Sequence, residues 1–140
     1  MIMVVTLAAF VLSPWVWQEP PSSIRPGAAE VPFFVILNIF ESLALGLGVA
    51  FWWNLLPLVR RQKGEFKKET WILYVSVGWL LVNWWFHDGL HKVIGGDPRR
   101  LLLVEYGFHV SLILAGMAMV WALVRIWSQG RWWWAGDEME

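Results

Sequence analysis

The sequence predicts an all-α integral membrane protein: a small helical bundle with three transmembrane helices and a short N-terminal hydrophobic helix as a fourth span. Three observations predict it. Hydrophobic residues make up 58% of the 140 and charged residues 16%, against roughly 45–50% and about 25% in a soluble domain. A soluble chain this short would have too few polar groups to cover itself. Three apolar stretches, 32–58, 71–94 and 101–127, each exceed the ~20 residues a helix needs to cross hydrocarbon. Thirteen Trp residues suit a chain that meets membrane–water interfaces many times.

The same numbers exclude several classes. A chain this apolar is not disordered. A net charge of zero offers no basic face to nucleic acid. The absence of Cys excludes disulfides, thiolate metal ligands and a Cys nucleophile. No internal repeat and no Gly-rich phosphate loop is present.

The elements follow in chain order as one transmembrane domain. Residues 1–17 are apolar but short, with Pro14 near their end. A secretory signal would need a positive n-region, and no Lys or Arg precedes Arg25. The segment is read as a short helix that spans or nearly spans, with a re-entrant or interfacial helix as the alternative. Gln18 to Ala29 form an ordered polar connector. Pro32 opens the first long span, in the turn where its missing N–H is harmless. Thr70 is positioned to cap the second span, and Gly95-Gly96 to close it. Asp97-Pro98 reads as cap and first residue of the third. A closed barrel is not indicated, and an open sheet leaves backbone groups unpaired in lipid, so these stretches are helices. Gly46, Gly48, Gly78, Gly107 and Gly116 lie within them, where small residues allow close helix packing.

Lys and Arg set the orientation. Arg60, Arg61, Lys63, Lys67, Lys68, Arg125 and Arg131 fall on one side, and Arg25, Lys92, Arg99 and Arg100 on the other. The basic loop and the C-terminus are therefore expected in the cytoplasm, in a prokaryotic cytoplasmic membrane. Trp71, Trp121, Trp127 and Trp132-Trp133-Trp134 would form the inner aromatic belt. The acidic tail, Asp137 to Glu140, reads as solvated.

Polar residues at membrane depth carry the functional signal. The first long span holds Asn38 and Glu41, the second Asn83, His87, Asp88 and His91, the third Glu105 and His109. Each ionisable group costs several kcal/mol in hydrocarbon, about 2.5–3.5 on the lenient scale, unless partnered. Counting along each helix from its outward end, Glu41 lies about 13 Å deep, His91 and His87 about 5 and 10 Å, and Glu105 and His109 about 6 and 12 Å. Helices that alternate in direction bring this layer together. His87 and His91 are four apart, hence on one face, and Glu105 and His109 repeat that spacing. The inner half of every span lacks ionisable residues, which argues against a transmembrane ion or proton path.

Three His and several carboxylates are a sufficient donor set for one or two metal ions. Imidazole suits zinc, copper and iron, and a divalent cation neutralises Glu41 and Glu105 in place. The expected ligands are His87, His91, Glu105 and His109, with Glu41 next. Asp88, Asn38 and Asn83 stand behind them, Asp88 as a ligand or as the acceptor that fixes a His tautomer. The bland alternative is a plain ion pair with interhelical hydrogen bonds. Haem b, with axial His residues from neighbouring helices, is the alternative cofactor. The residues leave three functions open. One is a membrane metalloprotein, an oxidoreductase or hydrolase acting on a lipid-soluble substrate. Another is a haem-carrying electron-transfer subunit. The third is a non-catalytic subunit of a larger membrane complex. Expected partners are the lipid bilayer and other membrane subunits or further copies of the chain, with no nucleic acid.

Overall fold

The computed structural model of the chain describes residues 1–21, 23, 26–95 and 97–128. They form four α-helices: α1 Ile2–Val16, α2 Val31–Arg61, α3 Lys67–Ile94 and α4 Pro98–Ser128. No strand occurs among the described residues. Two helices, α2 and α4, are long and apolar enough to cross a membrane. α1 has 15 residues, and α3 has 28 with charged residues at both ends.

The helix ends follow from local chemistry. Pro14 lies in the last turn of α1, and the N–H of Trp17 closes that turn on the carbonyl of Ser13 at 2.8 Å. Before α2, the Glu30 carboxylate accepts the N–H of Gly27 at 2.9 Å, which tightens the turn leading to Pro32. α3 begins earlier than its apolar run. Thr70 does not cap it: the Thr70 hydroxyl donates to the carbonyl of Phe66 at 2.8 Å. Lys67, Lys68 and Glu69 are good helix formers and carry the helix back to Lys67, just after the turn at Gly64, whose φ is 91°. Gly95, at φ 61°, ends α3 with its N–H on the carbonyl of His91. Asp97 caps α4 as its sequence suggests, its Oδ1 accepting the N–H groups of Arg99 at 3.0 Å and Arg100 at 3.4 Å.

Helices pack in chain order, α1 on α2, α2 on α3 and α3 on α4. Glycines set the closest approaches. A Cβ at Gly46 would strike Thr6 and the carbonyl of Ile2, one at Gly48 would strike Leu81 and Val82, and one at Gly78 would strike the Trp52 indole. Gly107 and Gly116 of α4 face open space instead. Trp52 and Tyr74 lock α2 to α3 reciprocally. The indole N–H donates to the Tyr74 carbonyl at 3.1 Å, and the phenol donates to the Trp52 carbonyl at 2.7 Å. Trp17, just past α1, lies over Gly89 and meets Trp85 edge-on at 5.0 Å.

The outer surface is strongly apolar. Phe33 is 74%, Trp53 72% and Leu103 75% exposed. Trp71 at the start of α3 and Trp121 and Trp127 near the end of α4 share one end of the bundle, where Lys68 lies 5.6 Å from the Trp121 ring centroid. Trp132-Trp133-Trp134, Arg131, the acidic tail from Asp137 to Glu140, Gly96 and Arg25 lie outside the described residues.

Candidate metal centre

The polar residues of α2, α3 and α4 gather toward the other end of the bundle, in three groups. The first joins α3 to α4. His91 Nε2 lies 2.8 Å from Glu105 Oε1 and 2.9 Å from His87 Nε2. His87 Nε2 lies 3.8 Å from the same oxygen. Helical spacing brings the two imidazoles together, since residues four apart stand one turn above another on one face. Phe108 stacks on the His87 ring at 3.7 Å, with 22° between the planes, and fixes its direction.

A carboxylate oxygen accepts, and each imidazole nitrogen carries either one proton or one lone pair. A single proton on His91 Nε2 makes one straight bond, to Glu105 or to His87, or is shared between them in a bent three-centre bond. A lone pair there opposes the lone pairs of Glu105. A cation at the centre would take a lone pair from all three. The point equidistant from the three atoms lies about 1.9 Å from each, close to metal–nitrogen and metal–carboxylate bonds of about 2.0–2.2 Å. These three atoms would hold the ion, and three protein ligands would leave part of its coordination shell to other donors. Among the described residues, His87, His91 and Glu105 are the one group of three or more His and carboxylate side chains placed to hold a metal ion.

His109 stands beside this group rather than in the triangle. Its Nδ1 lies 2.8 Å from the backbone carbonyl of Glu105 and 3.2 Å from Glu105 Oε2, the oxygen turned away from His87 and His91. Its side chain is 61% exposed. It is positioned to orient the carboxylate.

Glu41 and Asp88 form the second group, between α2 and α3. Asp88 pairs with Lys92, one turn along α3. Glu41, only 7% exposed, lies beside Asp88, and its Oε2 has no hydrogen-bond partner among the described residues. Lys92 is the cation that serves these carboxylates, a role its i,i+4 spacing from Asp88 permits. Asn38 stays within α2, 3.5 Å from the Ser42 hydroxyl that donates to it.

Asn83 belongs to a third cluster, one turn deeper than His87. The Ser111 hydroxyl accepts from Asn83 Nδ2 at 3.1 Å and from Trp79 Nε1 at 3.2 Å, and donates to the Phe108 carbonyl at 2.8 Å. Sequence reasoning missed Ser111 and Trp79. Depth held the signal for Ser111, which lies about 15 Å below Leu101, as Asn83 lies about 16 Å below Ile94. This cluster borders a pocket of about 410 Å³ between α3 and α4, walled by Asn83, Phe86, His87, Leu90, Phe108 and Ser111. Phe86 and Leu90, each 41% exposed, stand at its edge on the apolar outer surface.

In comparisons with known proteins, no family profile, no curated protein and no solved structure matches this chain.

Proposed function

We propose that this chain is an integral membrane metalloprotein in which His87, His91 and Glu105 bind one divalent transition-metal ion. The observation that carries the reading is the convergence of two imidazole nitrogens and one carboxylate oxygen within 3.8 Å of one another. Two His and one carboxylate are a donor set shared by catalytic zinc sites and non-haem iron sites, both of which keep positions open. His109 orients Glu105, and outer partners of this kind tune affinity. The pocket that shares the His87 wall admits an apolar molecule from the lipid side. The reaction class is oxidation or hydrolysis of a lipid-soluble substrate, in which the ion would activate water or oxygen at an open position.

Haem b, with His87 or His91 opposite His109, is the alternative cofactor. The carboxylate favours a free ion, because Glu105 lies 2.8 Å from His91 Nε2 and axial ligation of a haem iron by two imidazoles has no use for it.

The membrane reading adds α3 as a third span. Its uncharged stretch, 71–86, covers about 24 Å at 1.5 Å per residue. The remaining polar end is partnered within the bundle. α1, with 15 residues, completes the reading as a short fourth helix that reaches about 22 Å. The loop rich in Lys and Arg faces the cytoplasm on this reading, and so does the C-terminal end of α4.

Elemental analysis and an absorption spectrum of one detergent-purified sample test the proposal. The expected result is about one equivalent of zinc, iron, copper or manganese without a Soret band, lost in His91→Ala. A Soret band selects haem. Folded protein that takes up no metal when supplied with it refutes the site.

A further inference from the structure

The opposite end of the bundle holds a second groove between α3 and α4, with a volume of about 760 Å³. Gly64, Glu65, Lys67 and Lys68 stand at its mouth, and Trp71, Val75 and Ala118 line its depth. We propose that this groove binds one anionic phospholipid, with the headgroup phosphate at Lys67 and Lys68 and an acyl chain along Trp71, Val75 and Ala118. The inference rests on the membrane reading above and not on the metal.

Charge and shape argue for that occupant together. Residues 60–69 carry Arg60, Arg61, Lys63, Lys67 and Lys68 against Glu65 and Glu69. Glu69 is turned inward, 5% exposed, with the Arg125 guanidinium 3.7 Å from its Oε1. Glu65, Lys67 and Lys68 are exposed, so the mouth of the groove sets two cations against one carboxylate and keeps a net charge of +1. From Lys67 to Ser76 the groove wall runs about 14 Å along α3, from the charged mouth into the apolar band. Lys68 reaches toward α4 over the Trp121 ring, at 5.6 Å from its centroid, which holds a positive charge across the opening. Free phosphate would use the mouth and leave the apolar depth empty. A zwitterionic lipid would fill the depth but bring its own cation to the lysines. An anionic phospholipid matches both parts, and basic juxtamembrane residues attract such headgroups.

Native mass spectrometry of the full chain, released from membranes in mild detergent, tests this. The probes are phosphatidylglycerol and phosphatidylcholine with identical acyl chains, and inorganic phosphate as competitor. One phosphatidylglycerol is expected to remain bound at about a tenfold lower concentration than phosphatidylcholine. K67Q/K68Q removes that preference. Ala118→Phe, which fills the depth, weakens both lipids, and millimolar phosphate displaces neither. Equal retention of the two lipids, an unaltered preference in K67Q/K68Q, or displacement by phosphate alone overturns the proposal, the last by revealing a simple anion site. Alkaline carbonate extraction separates the two readings. A chain that stays in the membrane yet shows no preference refutes the lipid site alone, and a chain released in soluble form refutes both.

Discussion

On the metal reading proposed above, replacing His109 by Ala is expected to weaken zinc binding about tenfold while leaving one ion per chain. The magnitude comes from the position of the ring. His109 Nδ1 touches the backbone carbonyl and the outer oxygen of Glu105, at 2.8 and 3.2 Å, and not the oxygen shared with His87 and His91. It restrains a ligand and donates none. Groups that hold a ligand in this way are worth roughly 10–100-fold in metal affinity. The side chain is 61% exposed, so water replaces part of what is lost and the effect falls at the low end. Tenfold is about 1.4 kcal/mol. The assay is competition with a chromophoric chelator in detergent, run beside His91→Ala. His91 contributes two of the three triangle contacts, so its loss is expected to abolish stoichiometric binding. If His109→Ala abolishes binding as fully as His91→Ala, His109 is a ligand and the three-atom site is wrong. If His91→Ala keeps its full equivalent, the ion sits elsewhere.

Two further outcomes follow from packing and charge. Gly78→Ala drives a methyl group into the Trp52 indole and breaks the reciprocal Trp52–Tyr74 hydrogen bonds, which should cost about 1–3 kcal/mol. Gly116→Ala meets open space and should be neutral or gain up to about 1 kcal/mol of helix propensity; denaturant titration from micelles ranks the pair, and equal stability of the two variants would contradict the close approach of α2 and α3. Lys92→Met strips the cation from Asp88 and Glu41, with Asp88 only 17% exposed in its side chain, and should destabilise by about 3 kcal/mol. Asp88→Asn added to Lys92→Met should recover most of that loss, and no recovery would show that Lys92 acts elsewhere.

Much of this arrangement was legible in the sequence, for identifiable reasons. Apolar length and cap chemistry marked the long helices, as at Asp97-Pro98 and Gly95. The start of α3 was not legible from hydropathy, because Lys67, Lys68 and Glu69 are polar yet helical, and the early start follows from Gly64. Spacing of four put His87 beside His91, and equal depth put Glu105 across from them. Depth and facing could not say which of Glu105's two oxygens each imidazole meets, so His109 read as the equal of His91. Lys92 counted only toward orientation, and its i,i+4 relation to Asp88 was the overlooked signal. Ser111 was invisible as a lone hydroxyl in an apolar run, and only its depth shared with Asn83 distinguishes it.

Every helix rests on the one that precedes it in the chain, so interhelical contacts join segments that are synthesised in succession. Contact order is accordingly low, and each helical hairpin is free to close as soon as its second arm emerges. Glu105 and His109 arrive on the last helix, whose one extensive neighbour among the described residues is α3. Until then His87 and His91 wait as an imidazole pair without their carboxylate. Under the metal reading, the ion works as a clasp on the final hairpin. Its capture would mark the docking of α4 on α3, and a chain in which that hairpin has not closed would be recognisable by having no grip on the ion.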